Sequence, residues 1–181
     1  FLQIARLRLP AAFWQNRERV RRAYAVLGGN PRGLEFLAPA VAGMDSEQEG
    51  AFLAALEQTR DEVQANMALE AIYARLPAEA QTLLRRLPAY REPVPAEGLL
   101  KLALNLPNAE TLLEHLLAVS LLEVSYQPEW DALEYALPPL VSEWLDSKNL
   151  ADDAPAWRSA AADYHLFLLQ YERRTLTQAI T

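Results

Sequence analysis

The chain has no cysteine. Disulfides and thiolate metal sites are therefore excluded, and a reducing, cytosolic origin is favoured. It has only two histidines, His115 and His165, which lie far apart in sequence. A zinc site built on them would need carboxylate ligands at no recognisable spacing. Apolar stretches such as that near Leu116–Leu122 are too short to span a bilayer. No glycine-rich phosphate loop ending in Lys-Ser/Thr is present, and no strand ends in paired acids that would hold magnesium. Ser-His-Asp, Cys-His and HExxH arrangements are also missing. Asp152-Asp153 stands at a helix start, where capping accounts for the acids better than catalysis does. The chain by itself is thus expected to catalyse nothing. It begins at Phe1 without a methionine or signal-peptide pattern and reads as a piece of a longer protein.

What is present is a 181-residue chain with 51% apolar residues, enough for one ordinary domain or two small ones. The net charge of −7 is unevenly spread. Residues 1–43 carry seven arginines against two acids (+5), and residues 44–76 seven acids against two bases (−5). Residues 77–145 carry ten acids against four bases (−6), and the remainder five against four (−1). A basic start beside an acidic body is explained by charge complementarity between packed segments. The sharper alternative is that Arg17, Arg19, Arg21 and Arg22 approach phosphates.

The first 76 residues read as helices only. Val20, Tyr24 and Leu27 repeat at helical spacing over Arg17–Leu27, and Gly28 offers a left-handed stop. Asn30 fits a helix cap and Pro31 a first helical position, where the N–H is unpaired in any residue. Leu34, Leu37 and Val41 continue that second helix. Ser46 and Glu49 read as a capping box. Phe52, Leu56, Val63 and Met67 follow, on one long helix or two broken near Gln58–Asp61.

After Pro77 the pattern predicts helices over Ala78–Leu87, Pro95–Leu104 and Asn108–Ala118, with Asn108 as cap. The period then shifts from 3.6 to 2. Leu122, Val124 and Tyr126 alternate with polar residues, as do Leu133, Tyr135 and Leu137 with Ala132, Glu134 and Ala136. This predicts a hairpin pairing Leu121–Tyr126 with Ala132–Leu137. Pro139 opens a helix over Leu140–Leu145, and Trp157, Ala161, Tyr164, Leu168 and Tyr171 form the face of a last one. Helix, helix, helix, hairpin, helix is the order of a winged helix-turn-helix. The expected fold is mainly α: a helical bundle over residues 1–76, a winged helix over 77–146, and from 147 to 181 the start of a helical, TPR-like region.

Winged helices commonly bind DNA, through Lys and Arg that neutralise phosphates. Here the third helix carries Glu110, Glu114 and His115 and no Lys or Arg, and the hairpin adds Glu123, Glu129, Asp131 and Glu134. An interaction module with no DNA partner is the expectation.

The run Gly28-Gly29-Asn30-Pro31-Arg32-Gly33-Leu34 resembles the G-x-P motif of STAND-type signalling ATPases, the NB-ARC and AP-ATPase group. Arg91–Leu145, with Arg91-Glu92-Pro93-Val94-Pro95 and Leu137-Pro138-Pro139-Leu140-Val141-Ser142-Glu143-Trp144-Leu145, looks like the winged-helix part of bacterial members. The resemblance implies that residues 1–76 are a lid over a nucleotide-binding core. Gly29, Asn30 and Pro31 would then be the nucleotide-binding residues, with Pro31 against the base. It implies ATP or ADP in a longer parent protein and none in this piece alone. The implied partners are the upstream core, downstream repeats and further copies of the parent, in the cytoplasm and with no membrane. The family's Met-His-Asp motif would fall at Leu137-Pro138-Pro139, where neither proline can do that polar work. Two other readings are a winged-helix transcription regulator and a purely protein-binding adaptor.

Overall fold

A computed structural model describes residues 16–26, 31–58, 61–128, 131–152 and 154–180. It is mainly helical with one small antiparallel sheet. The chain divides into two compact units between Leu76 and Pro77.

In the first unit the described helices are α1 (Arg17–Val26), α2 (Pro31–Val41), α3 (Ser46–Glu57) and α4 (Asp61–Tyr73). α2 packs on α4, and α1 on α2 and α3. Ala23, Leu37, Val41, Leu53 and Leu56 form the buried centre, flanked by Val20, Phe52, Met44 and Met67. The inward residue of α1 is Ala23, at 1% exposure, while Tyr24 is 50% exposed. The expected stripe keeps Val20 but continues through Ala23 rather than Tyr24. A small side chain at position 23 suits the close approach of neighbouring helices better than a phenol ring does.

The cap of α3 is also one residue earlier than expected. Asp45, not Ser46, is the cap, and its carboxylate accepts the N–H of Glu47 at 3.0 Å and of Gln48 at 2.8 Å. Gln48 completes the box by accepting the Asp45 N–H at 3.2 Å. Aspartate caps as well as serine and adds a favourable charge at a helix N-terminus. The carbonyls at the end of α2 are bound by Arg75, whose guanidinium donates to Pro39, Ala40 and Ala42. These are acceptors a helix end leaves unpaired.

The second unit runs α5 (Ala78–Arg86), a 3₁₀ turn (Leu87–Ala89), β1 (Val94–Pro95), α6 (Ala96–Leu102), α7 (Ala109–Ala118), β2 (Glu123–Gln127), β3 (Ala132–Ala136), α8 (Pro139–Ser147) and α9 (Pro155–Ile180). The sheet order is β1-β3-β2, antiparallel throughout. This is the topology of a winged helix-turn-helix, with α7 in the place of the recognition helix and β2–β3 as the wing. The sequence pattern predicts no strand at β1. Pro95 is tolerated there because β1 is an edge strand. The wing begins two residues later than expected, because Leu121 and Leu122 are buried beneath the sheet before the strand starts. Asn108 does precede α7, but at φ 52° with no side-chain hydrogen bond to the helix. It serves as a left-handed turn residue, a conformation asparagine tolerates.

α9 packs on α6 and on the 3₁₀ turn. At the crossing, Gly98 of α6 lies under Tyr164. Tyr90 donates its hydroxyl hydrogen to the Gly98 carbonyl at 3.0 Å and meets Tyr164 edge-on, with centroids 6.3 Å apart. A Cβ at position 98 would stand 2.6 Å from Cε1 of Tyr164. Gly98→Ala, although better for helix propensity, is expected to destabilise the second unit by about 1–3 kcal/mol through overpacking. Urea unfolding followed by tryptophan fluorescence measures it. An unchanged or raised midpoint would show that Tyr164 moves aside freely.

Candidate functional site

Of the three residues singled out for nucleotide contact, Gly29 and Asn30 lie outside the described residues. Pro31 is the first residue of α2. Gly28 and Leu27, the expected helix stop, also lie outside them. Among the four arginines of α1, Arg22 has its Nε 3.1 Å from Oε1 of Glu57 on α3. That pairing supports charge complementarity between segments for Arg22. At this exposure the pair contributes at most about 1 kcal/mol.

The second unit carries an open cleft of about 510 Å³ between the 3₁₀ turn, β3 and α8. Its apolar wall includes Leu99, Leu122, Tyr135 and Leu137, and its polar lining includes Arg91, Glu92, Ser142, Glu143 and Asp146. Glu143 and Asp146 share a face of α8 because residues three apart on a helix are neighbours. Leu137 and Pro139 line the same cleft, while Pro138 is buried at the cap position. The sequence marks Leu137 by strand alternation and Pro139 as a helix start, and all three positions together through the resemblance. It gave no sign that Arg91, some forty-six positions from the start of that motif, joins them, because tertiary packing alone brings them together. Among the described residues no group of three or more His, Asp or Glu is placed to hold a metal ion.

Two aromatic groups hold the edges of this region. Trp157 of α9 donates Nε1–H to Asp152 at 2.9 Å, and the Arg86 guanidinium lies 3.9 Å from its ring centroid. Asp152 in turn donates its backbone N–H to the Arg85 carbonyl at 2.6 Å. Tyr90, buried beside the Gly98 carbonyl, has its phenol pushed up to about 12, first by desolvation and then by Tyr164. The folded state favours the neutral phenol. Stability from Tyr90 is therefore fully present below the unfolded tyrosine value near 10 and is lost as pH rises from there through about 12. Unfolding midpoints measured across this alkaline range are expected to fall more steeply for the wild type than for Tyr90→Phe. Parallel curves would mean that Tyr90 ionises without cost.

α7 buries Leu112, Leu113 and Leu116 and exposes Glu110, Thr111, Glu114 and His115. Its outward face therefore presents carboxylates where a DNA-reading helix presents Lys and Arg. No protein-family model matches the chain, and no curated protein matches it by sequence. Among the described residues no helix is long and apolar enough to cross a membrane.

The charge of α7 and of the wing carries a direct expectation. Duplex DNA should be bound more weakly than the ~10⁻⁴–10⁻⁶ M of ordinary non-specific binders at physiological salt. Fluorescence anisotropy with a labelled duplex tests it. Submicromolar binding lost on replacing Glu110 and Thr111 would make α7 a DNA-reading helix.

Proposed function

We propose that this chain is the lid and winged-helix region of a nucleotide-switched, STAND-type signalling ATPase acting in the cytoplasm. ATP or ADP is held between a nucleotide-binding core, supplied by other sequence of the parent, and the helical unit that α2 belongs to. Pro31 rests on the base. The winged helix and α9 relay input from downstream helical repeats, and the released state assembles with further copies.

The observation that supports this best is the succession of a helical unit whose α2 opens at Pro31 and a winged helix whose α7 is acidic. A winged helix unsuited to phosphates has a natural use as a moving protein part. Proline suits base contact because its ring is stiff and apolar and loses no side-chain entropy on packing. A helix start also offers unpaired N–H groups and a partial positive charge to an anionic nucleotide. Pro138 and Pro139 leave the Met-His-Asp position without a polar side chain, so this winged helix contributes position rather than phosphate contact. Such a switch operates only if nucleotide and input favour different arrangements.

In the parent protein, Pro31→Ala is expected to leave the thermal midpoint nearly unchanged, since a first helical position makes no intrahelical N–H bond, whether proline lacks the N–H or alanine leaves it unpaired. It should weaken nucleotide retention about tenfold, the ~1.4 kcal/mol scale of one lost apolar contact. Bound nucleotide after desalting, measured beside the melting curve, tests this. Wild-type nucleotide content in the variant would reduce Pro31 to a helix-start residue.

A further inference from the structure

The wing has an apolar face that the winged helix does not cover. Val124 stands opposite Tyr135 and Tyr126 opposite Leu133, so these four side chains share one face of the hairpin. Tyr135, at the base, lines the cleft and is half-buried. Toward the tip the face is bare: Val124 is 44% exposed, Leu133 51% and Tyr126 55%. Tyr126 is held on that face by its hydroxyl, which donates to Asp131 at 2.6 Å.

β2 is also the outer strand of its sheet, with β3 as its one strand neighbour among the described residues. Val124, Ser125 and Tyr126 are exposed in succession, so both sides of the strand meet solvent. An edge strand offers alternate backbone N–H and C=O groups to any extended chain beside it. Proteins normally protect such edges with lysine, proline or a bulge. The β2 sequence Glu-Val-Ser-Tyr-Gln contains neither residue, and its pairing with β3 runs without a bulge.

The surroundings select the occupant by charge. Residues 119–137 contain four acids and no Lys or Arg; three of the acids, Glu123, Asp131 and Glu134, are among the described residues. The helix that precedes β2 in the chain, α7, also exposes acids, Glu110 and Glu114, and carries no Lys or Arg. A polyanion is repelled from this region, and an acidic peptide equally so.

From the open edge, the bare apolar face and the acidic surround together, we propose that the wing is a strand-addition site. Its occupant is an extended protein segment in which apolar residues alternate with Arg or Lys. The segment pairs its backbone with β2 and continues the sheet. Its apolar side chains extend the Val124–Tyr126–Leu133 face, and its cations meet the acids around the wing. This is main-chain recognition with side-chain pockets for specificity. It goes beyond the nucleotide-switch reading and stands whether or not Pro31 touches a base.

The test uses the whole chain and two synthetic probes, a peptide of alternating arginine and valine and one of alternating glutamate and valine. Binding is followed by fluorescence anisotropy, and the site by backbone hydrogen exchange. The arginine–valine peptide is expected to bind at least about tenfold more tightly than the glutamate–valine peptide, and less tightly as salt is raised. Exchange should slow at Glu123–Gln127. Val124→Lys and Leu133→Lys, both at exposed positions, should each weaken binding about tenfold with the circular dichroism melt unchanged, whereas Val124→Ile should retain it. Equal affinity for the two peptides overturns the proposal, as does protection confined to another element. Sedimentation showing that the chain instead pairs with itself through β2, lost in Val124→Lys and without peptide binding, overturns it in favour of a second copy as the occupant.

Discussion

The contact on which the second unit depends is the approach of α9 to α6 over a residue without a side chain. Gly98 lets the Tyr164 ring lie directly on the α6 backbone, and its carbonyl receives the Tyr90 hydroxyl. Tyr90 and Gly98, eight residues apart, thus meet Tyr164 from a remote part of the chain at one backbone position. A helical glycine costs about 1 kcal/mol relative to alanine. Burying two tyrosines there, at 6% and 8% exposure, offsets that cost. Without this approach α9 would have no reason to lie along a short helix such as α6.

A second fastening stands before the start of α9. Asp152 accepts Trp157 Nε1–H and the Ala154 N–H, and donates its own N–H to Arg85, while Arg86 covers the Trp157 ring. Arg86 also donates to the Leu102 carbonyl at 2.9 Å, which ties the end of α5 to the end of α6. A guanidinium against an indole contributes about 0.5–2 kcal/mol depending on how dry the site is. These contacts tie the start of α9 to the ends of α5 and α6.

The wing shows the opposite character. It is anchored at its base, where Val94 pairs with Tyr135 and Leu121 and Leu122 are buried. Beyond that base it projects with both faces of β2 in solvent. The same sheet is therefore packed where it joins the helices and open along β2. Its acidic composition turns a feature common in DNA-binding folds toward cationic protein segments instead.

The local pattern of the sequence determined the element types. Period 3.6 gave the helices and the switch to period 2 gave the wing, because apolar spacing reflects which face a helix or strand can bury. Prolines and asparagines marked most ends, although the cap moved to Asp45 and Asn108 proved a left-handed turn residue, since neighbouring polar residues compete closely for such positions. The absence of Lys and Arg from α7 was equally legible, since it requires no geometry. Other features waited for the tertiary structure. β1 is two residues long and contains proline, so only its pairing with β3 reveals it. Alternation predicted an apolar strand face without saying whether anything covers it, and Val124, Tyr126 and Leu133 are uncovered because the helices reach only the base of the wing. Arg91 lining one cleft with the α8 carboxylates, and Gly98 meeting Tyr164, are juxtapositions of residues remote in sequence. No local pattern encodes them; only the packing of the assembled elements does.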